Sequence, residues 1–144
     1  MPTFQTLELI AKVFRSAIEN ADRSSWGPLW QRFPNGSCGV AAETLAIIVI
    51  ELTGSIPTYV SGLRSDQSQF HSHAWIEVGG VIIDVTADQF GEDSVIVTLD
   101  AAWHDQFNDR RETRHVDRSS GWWREHCLEA FRTAMKPLRS MNNH

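Results

Sequence analysis

The chain has 144 residues, 42% of them apolar and 22% charged, which is the size and mix of one globular domain with a single core. Its net charge is -5, and its densest basic run, Arg110, Arg111, Arg114 and Arg118, is interleaved with Asp109, Glu112 and Asp117. That balance excludes a nucleic-acid binder, whose phosphate contacts need a basic face, and two cysteines are too few for a secreted disulfide scaffold.

In chain order, residues 3–20 are predicted as an amphipathic helix. Leu7, Ile10, Phe14 and Ile18 recur at helical spacing, with Glu8, Lys12, Arg15 and Glu19 between them. Residues 22–37 read as a loop broken by Gly27, Pro28, Pro34, Asn35 and Gly36, but anchored by Trp26, Trp30 and Phe33. A second helix is expected from 38 to about 52. Its run Ile47, Ile48, Val49 and Ile50 makes it apolar around most of its circumference, hence central and buried, and Gly54 suits a left-handed C-terminal cap.

Strands follow at 58–63, 72–78, 81–86 and 94–99. Gly79-Gly80 between two apolar runs is a strong hairpin signal. Residues 100–118 read as polar and irregular, and 121 to about 135 as a last helix, followed by Pro137 and a frayed end at 142–144. Helices first, then mostly antiparallel strands, then a helix is an α+β pattern. No stretch is apolar enough to span a membrane, and the start lacks a basic, then apolar, signal segment. A cytoplasmic protein is therefore expected, with export by a dedicated machine left open.

The chemistry gathers on Cys38. It opens the most apolar helix, where the positive end of the dipole and unpaired N–H groups favour a thiolate and could hydrogen-bond an oxyanion. The hairpin supplies partners. With Gly79-Gly80 as the turn, Val78 faces Val81, so Trp75 faces Asp84 and His73 faces Thr86. Asp84 is then a diagonal cross-strand neighbour of His73, and a histidine partner would explain a carboxylate set between Ile83 and Val85. Such a carboxylate fixes the imidazole tautomer and turns the other ring nitrogen to the thiol. The same register makes Asp88 the other diagonal neighbour and sets His71 opposite it, so geometry alone leaves both pairings open.

The pieces Gly36-Ser37-Cys38-Gly39, His73-Ala74-Trp75-Ile76-Glu77-Val78 and Ile83-Asp84-Val85-Thr86 together resemble the transglutaminase-like core of the papain-like superfamily, over roughly residues 34–90. The resemblance implies an α+β core with a central helix starting at the nucleophile and packed on an antiparallel sheet. It implies Cys38 as nucleophile, His73 as base and Asp84 as orienting acid, leaving His71 and Asp88 outside the triad. Papain-like enzymes also use a glutamine upstream of the cysteine as oxyanion donor. That role falls to Gln31, the only glutamine in the preceding loop, beside the backbone at Gly39. Trp75 and His71 are groove candidates. The families sharing this core include peptidases, cross-linking transglutaminases, glutamine deamidases, leader peptidases of lasso-peptide maturation and arylamine N-acetyltransferases. The implied reaction is acyl transfer from an amide of a peptide or protein, without a cofactor. No dense calcium loop points to the large calcium-dependent transglutaminases.

Two other readings stand beside this one. One is a non-catalytic protein-binding domain on the same fold, which would have no use for Cys38, His73 and Asp84 together. The other is a metal site in which His71 and His73, two apart on one strand face, join Asp84, Asp88 or Cys38; no HExxH or CxxC spacing supports it. Cys127, on the apolar side of the last helix, reads as inert packing.

Overall fold

The computed structural model describes residues 1–66 and 69–142. Gln67 and Ser68, between the first two expected strands, and the last two residues of the expected frayed end lie outside the described residues.

Helix α1 (Phe4–Glu19) starts where the Thr3 hydroxyl accepts a hydrogen bond from the backbone N–H of Thr6, an N-cap. Leu7, Ile10, Phe14 and Ile18 are buried, as their spacing requires. Arg15 is the exception on that helix. Expected on the polar side, it is buried and forms a two-pronged pair with Asp88 at 2.7 and 2.8 Å, while also donating to the Val85 carbonyl. A guanidinium can be buried when its donors are met this fully.

Helix α2 (Cys38–Thr53) is buried on every residue from 40 to 49. Gly54 ends it at φ +77°, its N–H bonded to Ile50 O. Glu43, in the middle of this apolar helix, is tolerated because Arg114 pairs with it. The loop before α2 is held by its aromatics: Trp30 is fully buried and donates its indole N–H to His126 O at 2.7 Å.

Five strands form one antiparallel sheet in the order β4-β3-β2-β1-β5: β1 Thr58–Asp66, β2 Gln69–Val78, β3 Val81–Asp84, β4 Ile96–Thr98 and β5 Asp109–Arg114. The predicted hairpin is present, Val78 opposite Val81 across Gly79 and Gly80, both at positive φ. Strand alternation sorts the side chains between two clusters. Ala74, Ile76, Val78 and Ile83 pack with α1, α2 and α3 (Gly121–Asn142), while Val60, Trp75 and Ile82 pack on the other face with Phe107, Phe90 and Trp103.

Two expectations need correction. Residues 100–118 are not irregular throughout: they carry a short 3-10 turn, His104–Gln106, and the edge strand β5. All six β5 residues are exposed, so no apolar alternation marked it; pairing with β1 makes it a strand. Helix α3 runs through Pro137 instead of stopping before it. The proline gives up one helical hydrogen bond, but Ala134, Met135 and Leu138 bury on either side of it and hold the helix. Among the described residues no helix is long and apolar enough to cross a membrane.

Candidate functional site

The first helical bond of α2 runs from Ala41 N to Ser37 O, so the N–H groups of Cys38 and Gly39 lie ahead of it with no backbone partner among the described residues. Ser37 is turned away from capping duty: its hydroxyl donates to Leu29 O at 2.7 Å and anchors the preceding loop. Cys38 is half-buried and lines a cavity of about 240 Å³ with His73, walled by Tyr59, Ser61, Gly62, Ser72, Ala74 and Arg111.

The β2–β3 ladder ends at Ile76 opposite Ile83, and the diagonal pair lies just beyond it. His73 Nε2 meets Asp84 Oδ2 at 2.6 Å, both side chains fully buried. Since the carboxylate can only accept, Nε2 carries the proton, and Nδ1 is the nitrogen left for the thiol. Asp84 Oδ1 accepts from the backbone N–H of Thr86 at 3.0 Å. The Gln89 amide lies 3.2 Å from Nδ1 and can present its NH2 to the neutral ring or its carbonyl to the imidazolium.

The charges follow from these contacts. Burial works against a charged His73, but its hydrogen bonds to Asp84 and Cys38 outweigh it and hold the imidazole well above the usual range, at about 9. Burial likewise works against the Asp84 carboxylate, and the bonds from His104 and His73 overcome it, holding its pKa down at about 2. Each shift becomes a dependence of stability on pH. The lowered Asp84 contributes stability fully present above its ordinary 3.8 and lost as pH falls through about 2; the raised His73 contributes stability present below its ordinary 6.5 and lost as pH rises through about 9. The melting temperature is therefore expected to hold level from pH 4 to 6.5 and to fall on both sides. A melting temperature that climbs between pH 6.5 and 9 would contradict the assigned pair.

A residue that the sequence did not single out completes the group. His104, fully buried, also directs Nε2 to Asp84 Oδ2, at 2.7 Å, while its Nδ1 is buried without a partner among the described residues. Trp103 packs edge-on against both rings, and Phe107 packs against His73. The only available signal was a Trp-His pair three residues ahead of a phenylalanine in an otherwise polar stretch.

Other expected site residues lie elsewhere. Gln31 is not brought to the cavity: its amide is spent on the carbonyls of Arg23 and Gly27, at 2.7 and 2.8 Å. Trp75 is buried against Phe107 and His104, and His71 packs edge-on against Phe90; neither is among the residues lining the Cys38 cavity. Asp88 is taken by Arg15, which removes it as a partner for either histidine. Gly39 does stand at the helix head, beneath the Tyr59 hydroxyl.

Tyr59 and Arg111 line the cavity unforeseen. The register of β5 on β1 jumps from Ser61 opposite Glu112 to Gly62 opposite Arg110, leaving Arg111 as the extra residue of a bulge and aiming it at the cavity. Gly62 itself must lack a side chain, because a Cβ there would collide with the Phe107 carbonyl.

The proposed metal set of His71 with His73 is not assembled. The group of potential ligands that does come together among the described residues is His73, Asp84 and His104. Ligands about 2.1 Å from a tetrahedral ion sit roughly 3.4 Å apart. The separations of 2.6 and 2.7 Å are those of hydrogen bonds, with a proton between the heavy atoms.

The family model described as "Transglutaminase-like superfamily" matches residues 10–98, more than half the chain. The chain belongs to this superfamily. Neither a curated protein nor a solved structure matches it. Transglutaminase-like proteins are in general cysteine-dependent enzymes, and the matched segment spans Cys38, His73, Asp84 and Gln89. In this transglutaminase-like chain His104, Arg111 and β5 fall outside the matched segment, so the second imidazole on Asp84 belongs to the chain's own C-terminal part.

Proposed function

We propose that the chain is a cysteine-dependent acyl hydrolase or transferase acting on an amide bond of a peptide or protein, as a peptidase, glutamine deamidase or transglutaminase-type enzyme. Cys38 is the nucleophile, His73 its acid and base, and Asp84 the carboxylate that orients His73. The observation that carries this reading is the fully buried 2.6 Å bond from His73 Nε2 to Asp84, which leaves Nδ1 for the half-buried thiol at the head of α2.

The Cys38 proton passes to His73 Nδ1. The thiolate attacks the amide carbonyl, forming a C–S bond while the C=O π pair moves onto oxygen. Collapse breaks the C–N bond, and His73 returns its proton to the departing amine. Water or an acceptor amine then attacks the thioester while His73 takes its proton; a C–O or C–N bond forms, the C–S bond breaks, and the proton returns to the Cys38 sulfur, so that water gives hydrolysis or deamidation and an amine gives a cross-link. The sequence of steps uses no metal or cofactor. One catalytic domain over residues 1–144, a cytoplasmic location, and a peptide or protein partner in place of a nucleic acid or membrane belong to the same reading.

Incubation with a tryptic peptide mixture and a fluorescent primary amine, read by mass spectrometry, tests it. Cleaved, deamidated or amine-linked peptides are expected from the wild type and none from Cys38→Ala. Products that persist in Cys38→Ala, or a wild type that makes none, would overturn it.

A further inference from the structure

With Gln31 committed elsewhere, the tetrahedral oxyanion still needs a donor besides the helix head. We propose that Tyr59 is that donor, its phenol O–H acting with the backbone N–H groups at the start of α2 on the carbonyl oxygen attacked by Cys38. The inference rests on the acyl-transfer reading above.

Four observations carry it. Tyr59 lines the Cys38 cavity. Its hydroxyl oxygen lies over the helix head, 3.4 Å from where a Cβ on Gly39 would stand, among the N–H groups that precede the first helical bond. The residue is only 6% exposed and lines the cavity, and among the described residues its hydroxyl makes no hydrogen bond, so the phenol O–H is free to donate to a group bound there. Its ring is fixed in place: the Arg114 guanidinium stacks 4.4 Å over it, and Arg114 is tied in turn to Glu43 of α2 and Glu112 of β5.

A donor fixed before the reaction begins stabilises charge as it develops without reorganising, which is what an oxyanion site requires. The surroundings also keep the proton on the phenol. Burial, then the charges of Cys38, Glu112 and Glu43, push its pKa above the ordinary tyrosine value despite Arg114. As the thiolate adds, the carbonyl π pair moves onto oxygen, which accepts from the phenol O–H and a backbone N–H. When the leaving group departs, the C=O reforms and both donors are released unchanged.

Two reagents on the full chain separate this role from others. p-Nitrophenyl acetate acylates a thiol through an oxyanion; iodoacetamide alkylates it by displacing iodide from a saturated carbon, with no oxyanion. In Tyr59→Phe, which keeps the ring and its packing, Cys38 acylation is expected to slow by roughly 10²-fold while alkylation stays at the wild-type rate. Acylation at the wild-type rate would overturn the proposal. So would an equal slowing of both reactions, which would make Tyr59 a packing residue for the thiol. A wild type whose Cys38 is not acylated at all would overturn the acyl-transfer reading, and the role of Tyr59 with it.

Discussion

Asp84→Asn is expected to slow acylation of Cys38 by about 10³- to 10⁴-fold, the scale on which a triad loses rate when its imidazole is held in the wrong tautomer. Oδ2 accepts from two imidazole N–H groups and Oδ1 from the Thr86 N–H, so all three contacts need an acceptor. An asparagine has one oxygen. Placed toward the histidines, it turns its NH2 against the Thr86 N–H; placed toward Thr86, it turns the NH2 against both imidazoles. The second choice forces His73 to carry its proton on Nδ1, the nitrogen that must receive the thiol proton. The group is fully buried, so no water can mend the mismatch, and a loss of roughly 3 kcal/mol of stability should accompany the lost rate. First-turnover p-nitrophenol release and a thermal melt measure the two effects. Acylation within ten-fold of wild type would contradict the role given to Asp84.

His104→Leu is expected to act more on stability than on rate. It removes one charge-assisted donor from Asp84 but leaves His73 and the Thr86 N–H in place. The lost bond should cost about 1.5–3 kcal/mol, eased by removal of the partnerless Nδ1. The His104 bond helps to hold the Asp84 pKa down, so the acid edge of the stability profile should move to higher pH. Melting curves between pH 2 and 5 measure this. An acid edge that stays where it is in the wild type would mean that His104 is mere packing.

Local pattern and hairpin arithmetic carried the sequence reading as far as Asp84. The pairing across Gly79-Gly80 put Asp84 diagonal to His73, and the 2.6 Å bond is that diagonal made. The apolar run of α2 and the left-handed Gly54 were equally legible, because each depends on neighbours in the chain. What escaped depends on distant segments. Arg15 looked like a polar-face residue until Asp88, 73 residues away, gave it a buried partner. β5 has no strand pattern of its own and exists by pairing with β1. His104 reaches Asp84 from 20 residues away, on a segment whose Phe107 carbonyl lies against the bare backbone of Gly62. Tyr59 read as one more alternating strand residue, since nothing local shows that its hydroxyl ends above the head of α2.

The most direct test of the central claim is the rate of iodoacetamide labelling at Cys38 as a function of pH, in the wild type and in His73→Ala. Cys127 serves as internal control, because its burial pushes the thiol up to about 12. Cys38 should label fast, keep labelling below pH 7 while His73 stays protonated beside it, and lose that low-pH reactivity in His73→Ala. A Cys38 that labels slowly, follows the profile of an ordinary thiol and is indifferent to His73 would contradict an activated Cys–His pair.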